Sequence, residues 1–167
     1  MRELVAKVPV PLVLDADGLN AFAGHAAALR DRPAPTVLTP HDGEYARLTG
    51  EPVGPDRAEA ARRLAAASGC VALLKGPATV VAEPSGRAVV NPTGGSELAT
   101  AGSGDVLTGI IGGLLARGLD PFAAAAAGAF VHGRAGDVAG HTGLIAGDLI
   151  AALPRTLHAL TPARARP

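Results

Sequence analysis

Apolar residues in this chain come in two textures. Pro11–Ala16, Thr36–Thr39 and Cys70–Lys75 are short, mostly apolar runs that stop at polar or charged residues. Such runs suit strands of a parallel sheet covered on both faces. The longer texture is Ala-rich with helical spacing: Gly18–Leu29, Tyr45–Leu48, then Arg57–Ser68, whose Ala61, Leu64 and Ala65 fall on one inward stripe. Pro33-Ala34-Pro35 breaks the first of these from the strand that follows, and Gly69 is placed to cap the third. Ala78–Glu83 and Arg87–Asn91 predict a hairpin around Pro84-Ser85-Gly86. Apolar spacing returns in Val106–Leu115, Phe122–Val138 and Gly147–Leu153, the last expected to end at Pro154. Strands alternating with helices, then a hairpin and more helices, make the fold class α/β. There is no repeat and no domain boundary, and Thr161–Pro167 is expected to be a frayed tail.

The polar residues gather where the strands end. Asp15, Asp17 and Asn20 follow the first strand, Thr39-Pro40-His41-Asp42-Gly43-Glu44 the second, and Lys75 the third. In open α/β sheets that edge is where ligands bind. The stretch Ala99–Asp105 is a glycine-rich loop opening a buried helix, with one carboxylate at its mouth. Unpaired N–H groups at a helix start, aided by the dipole, form an anion site, and glycine lets an anion approach the backbone. Asp105 reads either as a helix cap or as a catalytic base. Three glycines within the helix, Gly109, Gly112 and Gly113, each cost about 1 kcal/mol relative to Ala and are expected to permit close packing. His41 is expected to meet a ligand. Glu44 either favours its helix N-terminus or holds a metal through water. Lys75, His132 and Asp137 each have a local, solvated reading as well, and His25, His141 and His158 form no constellation.

Composition narrows the field further. Fifteen basic and fifteen acidic residues among 167 give no electrostatic pull toward nucleic acid or a membrane. Three Phe, one Tyr and no Trp give no stacking platform for single strands. Cys70, the sole cysteine, excludes an internal disulfide and reads as a small core residue. No signal peptide opens the chain, and the longest uncharged stretch, Pro121–Val131, is too short to span a bilayer, so a cytoplasmic location is expected. A Walker A motif, a dinucleotide fingerprint after a strand and a Gly-x-Ser-x-Gly triad are all missing.

Taken together the clusters resemble the ribokinase-like superfamily, and within it the NAD(P)H-hydrate dehydratases. Asp15-Ala16-Asp17-Gly18-Leu19-Asn20 is similar to that family's strand-end motif. Thr39–Glu44 resembles its Thr-Pro-His-Pro-Gly-Glu, with Asp42 in place of the usual Pro. Lys75-Gly76-Pro77-Ala78-Thr79 is similar to its nucleotide-binding turn, and Ala99–Leu107 to its anion hole and catalytic Asp, with Ser103 where Thr is commoner. His132-Gly133 and Gly147-Asp148-Leu149 match its closing helices.

This resemblance implies a mostly parallel central sheet flanked by helices, with residues 1–160 forming a partial domain that lacks the family's first strands. It implies dehydration of hydrated NADH and NADPH with ADP, favoured over ATP, as phosphoryl donor and Mg²⁺ as cofactor. By the same resemblance Asp105 is the base; His41 and Asp105 meet the hydrate; Lys75, Gly76, Pro77, Ala78, Thr79 and Gly104 meet the adenine nucleotide; Gly102, Ser103 and Gly104 form the anion hole; and Glu44 orders the metal's water. A homo-oligomer, a tetramer by family resemblance, is implied too. The alternatives are a ribokinase-like small-molecule kinase and an inactive fragment that only binds nucleotide.

Overall fold

The computed structural model describes residues 1–140 and 142–161. A five-stranded sheet runs in the order β1 (Leu12–Leu14), β2 (Thr36–Leu38), β3 (Val71–Leu74), β4 (Val80–Ala82), β5 (Ala88–Val90). The pairs β1–β2 and β2–β3 are parallel, with Val13 opposite Val37 and Leu38 opposite Ala72. The expected hairpin follows: β4 is antiparallel to β3 and to β5. Only β4 therefore runs against the other four strands.

Alternation explains how the layers form. Along β3, Val71 and Leu73 face one side while Ala72 and Leu74 face the other, and all four are buried. Ala72 and Leu74 pack with Ala60, Ala61, Leu64 and Ala65 of α4 (Arg57–Ser68), the stripe that the sequence predicts. Val71 and Leu73 pack with Leu107, Ile111 and Leu115 of α5 (Ser103–Ala116) and with Phe122, Ala124, Ala125 and Ala129 of α6 (Pro121–Ala139). Buried apolar layers on both faces account for the near-continuous apolar runs. Cys70 lies in the first layer, buried, and burial pushes its thiol pKa up. No described helix is long and apolar enough to cross a membrane.

Several expectations are corrected. Gly18–Leu29 is not one helix but α2 (Ala16–Asn20) and a 3₁₀ turn at Ala26–Leu29. Gly24 between them has φ +66° and donates its N–H to the Arg47 carbonyl at 2.9 Å, on α3 (Asp42–Thr49), so a tertiary bond replaces the helical one. The last helix, α7 (Ala146–Leu160), continues through Pro154. Proline deprives the Ile150 carbonyl of its donor, at a residue of α7 that is exposed. Gly109, Gly112 and Gly113 are not close-packed: a Cβ on any of them meets nothing within 4 Å, because α5 buries the opposite face through Leu107, Ile111 and Leu115. The tight glycines are on α6, where a Cβ at Gly128 would stand 2.6 Å from Ile111 Cγ1. A short helix that the apolar pattern does not signal, α1 (Arg2–Lys7), packs Val5 into the first layer. Of the tail, Thr161 bonds the end of α7, and residues 162–167, like His141, lie outside the described residues.

Candidate active site

Because β1, β2 and β3 are parallel, the residues that follow them share one edge of the sheet. Backbone bonds tie those ends together: Thr39 N–H and hydroxyl both donate to the Leu14 carbonyl at 3.1 Å, and Lys75 N–H donates to the Pro40 carbonyl at 2.8 Å. Asp15, His41 and Lys75 are thereby brought together from three separate segments.

Lys75 stands at the centre. Its ammonium donates to Asp15 Oδ1 at 2.8 Å and lies 3.6 Å from Glu44 Oε2. The side chains of Asp15 and Glu44 are only 13% and 6% exposed, so this charge-assisted pairing is shielded from water. The hydroxyl of Thr108, on α5, donates to Asp15 Oδ2 at 3.3 Å. A Cβ at Gly104 would stand 3.4 Å from Asp15 Oδ2 and 3.6 Å from Lys75 Nζ. The start of α5 therefore sits directly on the Asp15–Lys75 pair.

Two helix N-termini meet here. In α3 the start is closed: His41 Nδ1 accepts from the N–H groups of Gly43 and Glu44 at 3.0 and 3.2 Å, and Glu44 Oε2 accepts from His41 N–H at 2.8 Å. This is a capping box with histidine in the usual Ser/Thr role. An accepting Nδ1 puts the imidazole proton on Nε2, which lies on a half-exposed ring 3.6 Å from Glu44 Oε1. The start of α5 is different. Gly102 occupies its N-cap with φ +83° and no side-chain cap, Ser103 N–H donates to the Thr100 carbonyl, and the N–H groups of Gly104 and Asp105 have no acceptor among the described residues. Asp105 is exposed in that first turn, and its carboxylate has no partner among the described residues. Ser103 turns its side chain away, into the protein and onto His132.

The turn Lys75–Thr79 leaves β3 with Gly76 at φ +144° and Ala78 at φ +53°. Arg57 clamps it: one guanidinium nitrogen donates to both Asp42 carboxylate oxygens at 2.9 and 3.1 Å, the other to the Lys75 carbonyl at 2.7 Å. A side chain at Gly76 would meet that guanidinium at 2.5 Å. Ala16, directly after Asp15, has φ +45°, and with Ala78 it completes the set of described non-glycine residues at positive φ. Both lie at this edge of the sheet, Ala16 opening α2 just after β1 and Ala78 in the turn after β3. A largely apolar groove of about 460 Å³, lined by Pro55, Arg57, Ala58, Ala78, Val80 and Val90, opens beside the turn. Asp137 stays local, paired with Arg134 at 2.8 Å.

The sequence places Asp15 at the ligand-binding edge without a role of its own, and it gives Thr108 and Arg57 no part in the site. Thr108 was readable in part, since it lies four residues after Gly104 and so on the same helix face. Nothing local marks Arg57.

A family model for NAD(P)H-hydrate dehydratase, Carb_kinase, matches residues 1–157. The chain is 50% identical over 167 residues to the bifunctional NAD(P)H-hydrate repair enzyme Nnr of Moorella thermoacetica, an alignment covering 96% of this chain and 32% of that protein. It is 47% identical over 146 residues to the ADP-dependent (S)-NAD(P)H-hydrate dehydratase of Neisseria meningitidis serogroup B, covering 84% of this chain and 49% of the relative. The chain thus spans half or less of these relatives' length. The crystal structure of the ADP/ATP-dependent NAD(P)H-hydrate dehydratase of Bacillus subtilis, co-crystallized with ATP/Mg²⁺, superposes with a TM-score of 0.84 at 37% identity, over 95% of this chain and 58% of that one. A ribokinase-like superfamily protein of Enterococcus faecalis shares the fold at 23% identity and a TM-score of 0.69. With a ribokinase-like fold and a family match over residues 1–157, this chain belongs to the NAD(P)H-hydrate dehydratase family.

Proposed function

We propose that this chain catalyses the dehydration of hydrated NADH and NADPH in the cytoplasm, consuming ADP. One observation carries the reading: Asp105, whose carboxylate has no partner among the described residues, stands beside two N–H groups that have no acceptor among them, at a helix start seated on Lys75. A helix start gathers partial positive charge, about half an elementary charge in total, and the Lys75 ammonium, balanced by Asp15, offers N–H donors beside it. Together they suit the phosphates of a nucleotide whose base enters the groove beside Ala78. The turn Lys75–Thr79 holds that nucleotide, and His41 presents its Nε2–H to the hydrated ring.

Asp105 then takes the proton of the ring hydroxyl, whose oxygen bonds to the terminal phosphorus of ADP as the bond to AMP breaks. The C–O bond to phosphate then breaks and the neighbouring ring carbon gives up a proton to solvent, which forms the ring double bond, releases inorganic phosphate and restores the reduced nicotinamide. Gly104 and Asp105 N–H groups stabilise the charge developing on phosphoryl oxygens, a type of contact worth about 3 kcal/mol per donor.

Mg²⁺ fits this site as an ion carried by the phosphates. Asp15, Glu44 and Asp105 outnumber Lys75, so the site lacks enough positive charge for an incoming diphosphate. Glu44 Oε2 is already engaged by His41 N–H and Lys75, and no group of three His, Cys, Asp or Glu suited to a metal exists among the described residues. Glu44 thus serves the ion only through water; the ion supplies neutralising charge.

Incubating hydrated NADH with ADP or ATP and Mg²⁺ tests the reading. Recovery of reduced-nicotinamide absorbance with equimolar phosphate is expected, ADP being the better donor. A stable phosphorylated small molecule would establish a kinase, and nucleotide binding without any turnover a chain that only binds.

A further inference from the structure

Among the described residues, seven that are polar or charged are buried: Thr36, Thr39, Glu44, Ser68, Ser103, His132 and Thr156. Ser68 and Thr156 bond carbonyls of their own helices, Thr39 bonds Leu14, and Arg32 bonds Thr36. Glu44 belongs to the site already described. The remaining two, Ser103 and His132, are bonded to each other, and the mechanism above uses neither side chain.

The contact is specific. His132 Nε2 lies 3.0 Å from the Ser103 carbonyl oxygen and 3.1 Å from its Oγ. A carbonyl can only accept, so Nε2 carries the proton and donates. Burial pushes the pKa of His132 down, against a smaller upward push from the Ser103 bond, so the ring is neutral at pH 7 with that single N–H. The ring is also mounted on a fixed post. Gly133 abuts Thr93 so closely that a Cβ would overlap the Thr93 hydroxyl and stand 2.6 Å from its carbonyl carbon. Thr93 Oγ donates to the Phe130 carbonyl at 3.0 Å and Asn91 Nδ2 to the Ala129 carbonyl at 3.2 Å. These contacts fix α6 along its axis against the connection that leads into the glycine loop. Ser103 is thus held twice, by its N–H on Thr100 and by its carbonyl on His132, immediately before the two N–H groups that lack acceptors among the described residues.

We propose that His132 is a positioning residue for the phosphoryl site: from within α6 it anchors the first residue of α5 and so fixes where Gly104 and Asp105 stand relative to Lys75. The inference rests on the dehydratase reading for its catalytic consequence, but not for its structural one. A histidine that merely fills the core would be replaceable by any ring of its size.

The test compares His132→Phe, which keeps a ring but removes the donor, with His132→Gln, whose Nε2 carries a donor at similar reach, in the full 167-residue chain. Amide hydrogen exchange is read along the backbone. In the Phe variant the bonded amides of this turn, Ser103, Val106 and Leu107, should exchange about tenfold faster, the loss of one hydrogen bond, while those of α4 and the centre of α6 keep their protection. His132→Gln should restore most of that protection. ADP binding should weaken in the Phe variant by a similar factor, and kcat should fall more than KM for hydrated NADH rises. Uniformly faster exchange in the Phe variant, unchanged exchange in the first turn, or a Gln variant matching Phe would each overturn the proposal. If the unmodified chain neither binds ADP nor turns over, the dehydratase reading fails, and the exchange data still decide the role of His132.

Discussion

The two helix starts on this edge have opposite designs. At α3 the chain satisfies its own N–H groups: His41 Nδ1 takes two of them and Glu44 returns a bond to the His41 N–H. At α5 no described side chain caps the start, and with Gly102 in a left-handed conformation the N–H groups of Gly104 and Asp105 have no acceptor among the described residues. Unsatisfied N–H groups at a helix start are normally capped because leaving them open costs about 1 kcal/mol. The closed start serves the fold and fixes the imidazole of His41 beside Glu44. On the proposed reading the open one receives a ligand of opposite charge, so that one start positions and the other reacts.

The largest effect should come from the reacting start. Asp105→Asn keeps the shape and the backbone N–H but removes the base. Turnover of hydrated NADH should fall by roughly 10²–10⁴-fold. ADP affinity, measured by calorimetry, should be held or slightly improved, because the variant removes a negative charge beside the phosphates. Unchanged turnover would make Asp105 a helix residue and erase the contrast between the two starts.

Gly104→Ala gives the next largest effect. The added Cβ meets Asp15 and Lys75 at ordinary contact distance, so the fold accommodates it. Alanine also favours the helix by up to about 1 kcal/mol over glycine. Stability should therefore hold or rise while ADP binding weakens by about tenfold, or 1.4 kcal/mol, since the methyl group occupies space that the phosphate needs. Full ADP affinity in this variant would place the phosphate elsewhere.

The sequence revealed the shared edge better than the links across it. Strand-end polarity at Asp15, His41 and Lys75 was legible because a parallel sheet puts all such ends together, and the stripe on α4 followed from 3.6-residue spacing. Links between distant segments leave no local mark. Arg57 reaching Asp42 and the Lys75 carbonyl, and His132 reaching Ser103, depend on packing that only the folded chain specifies. The glycines show the same limit. Those on α5 and α6 have the same local cost, yet only the α6 set is pressed against neighbours, because helix rotation decides which face is buried. Local signals also mislead in both directions: Pro154 is tolerated inside α7, and the helical run expected through Gly24 stops at Asn20, with Gly24 bonded instead to Arg47.

The smallest effect separates the two duties of the closed start. His41→Ala removes the acceptor for Gly43 and Glu44 N–H and should cost about 1 kcal/mol of stability, lowering Tm by roughly 2–4 °C for a chain of this size. His41→Asn restores an N-cap acceptor, since asparagine is among the best residues for that place, and should recover the lost Tm. It does not restore the Nε2–H. If His41 presents that proton to the hydrate, KM for hydrated NADH should rise in both variants while ADP affinity stays unchanged in both. A KM that recovers together with Tm in the Asn variant would mean that His41 acts on the substrate only by holding α3 in place. In that case both helix starts would differ in whether they are capped, but only α5 would touch what is bound.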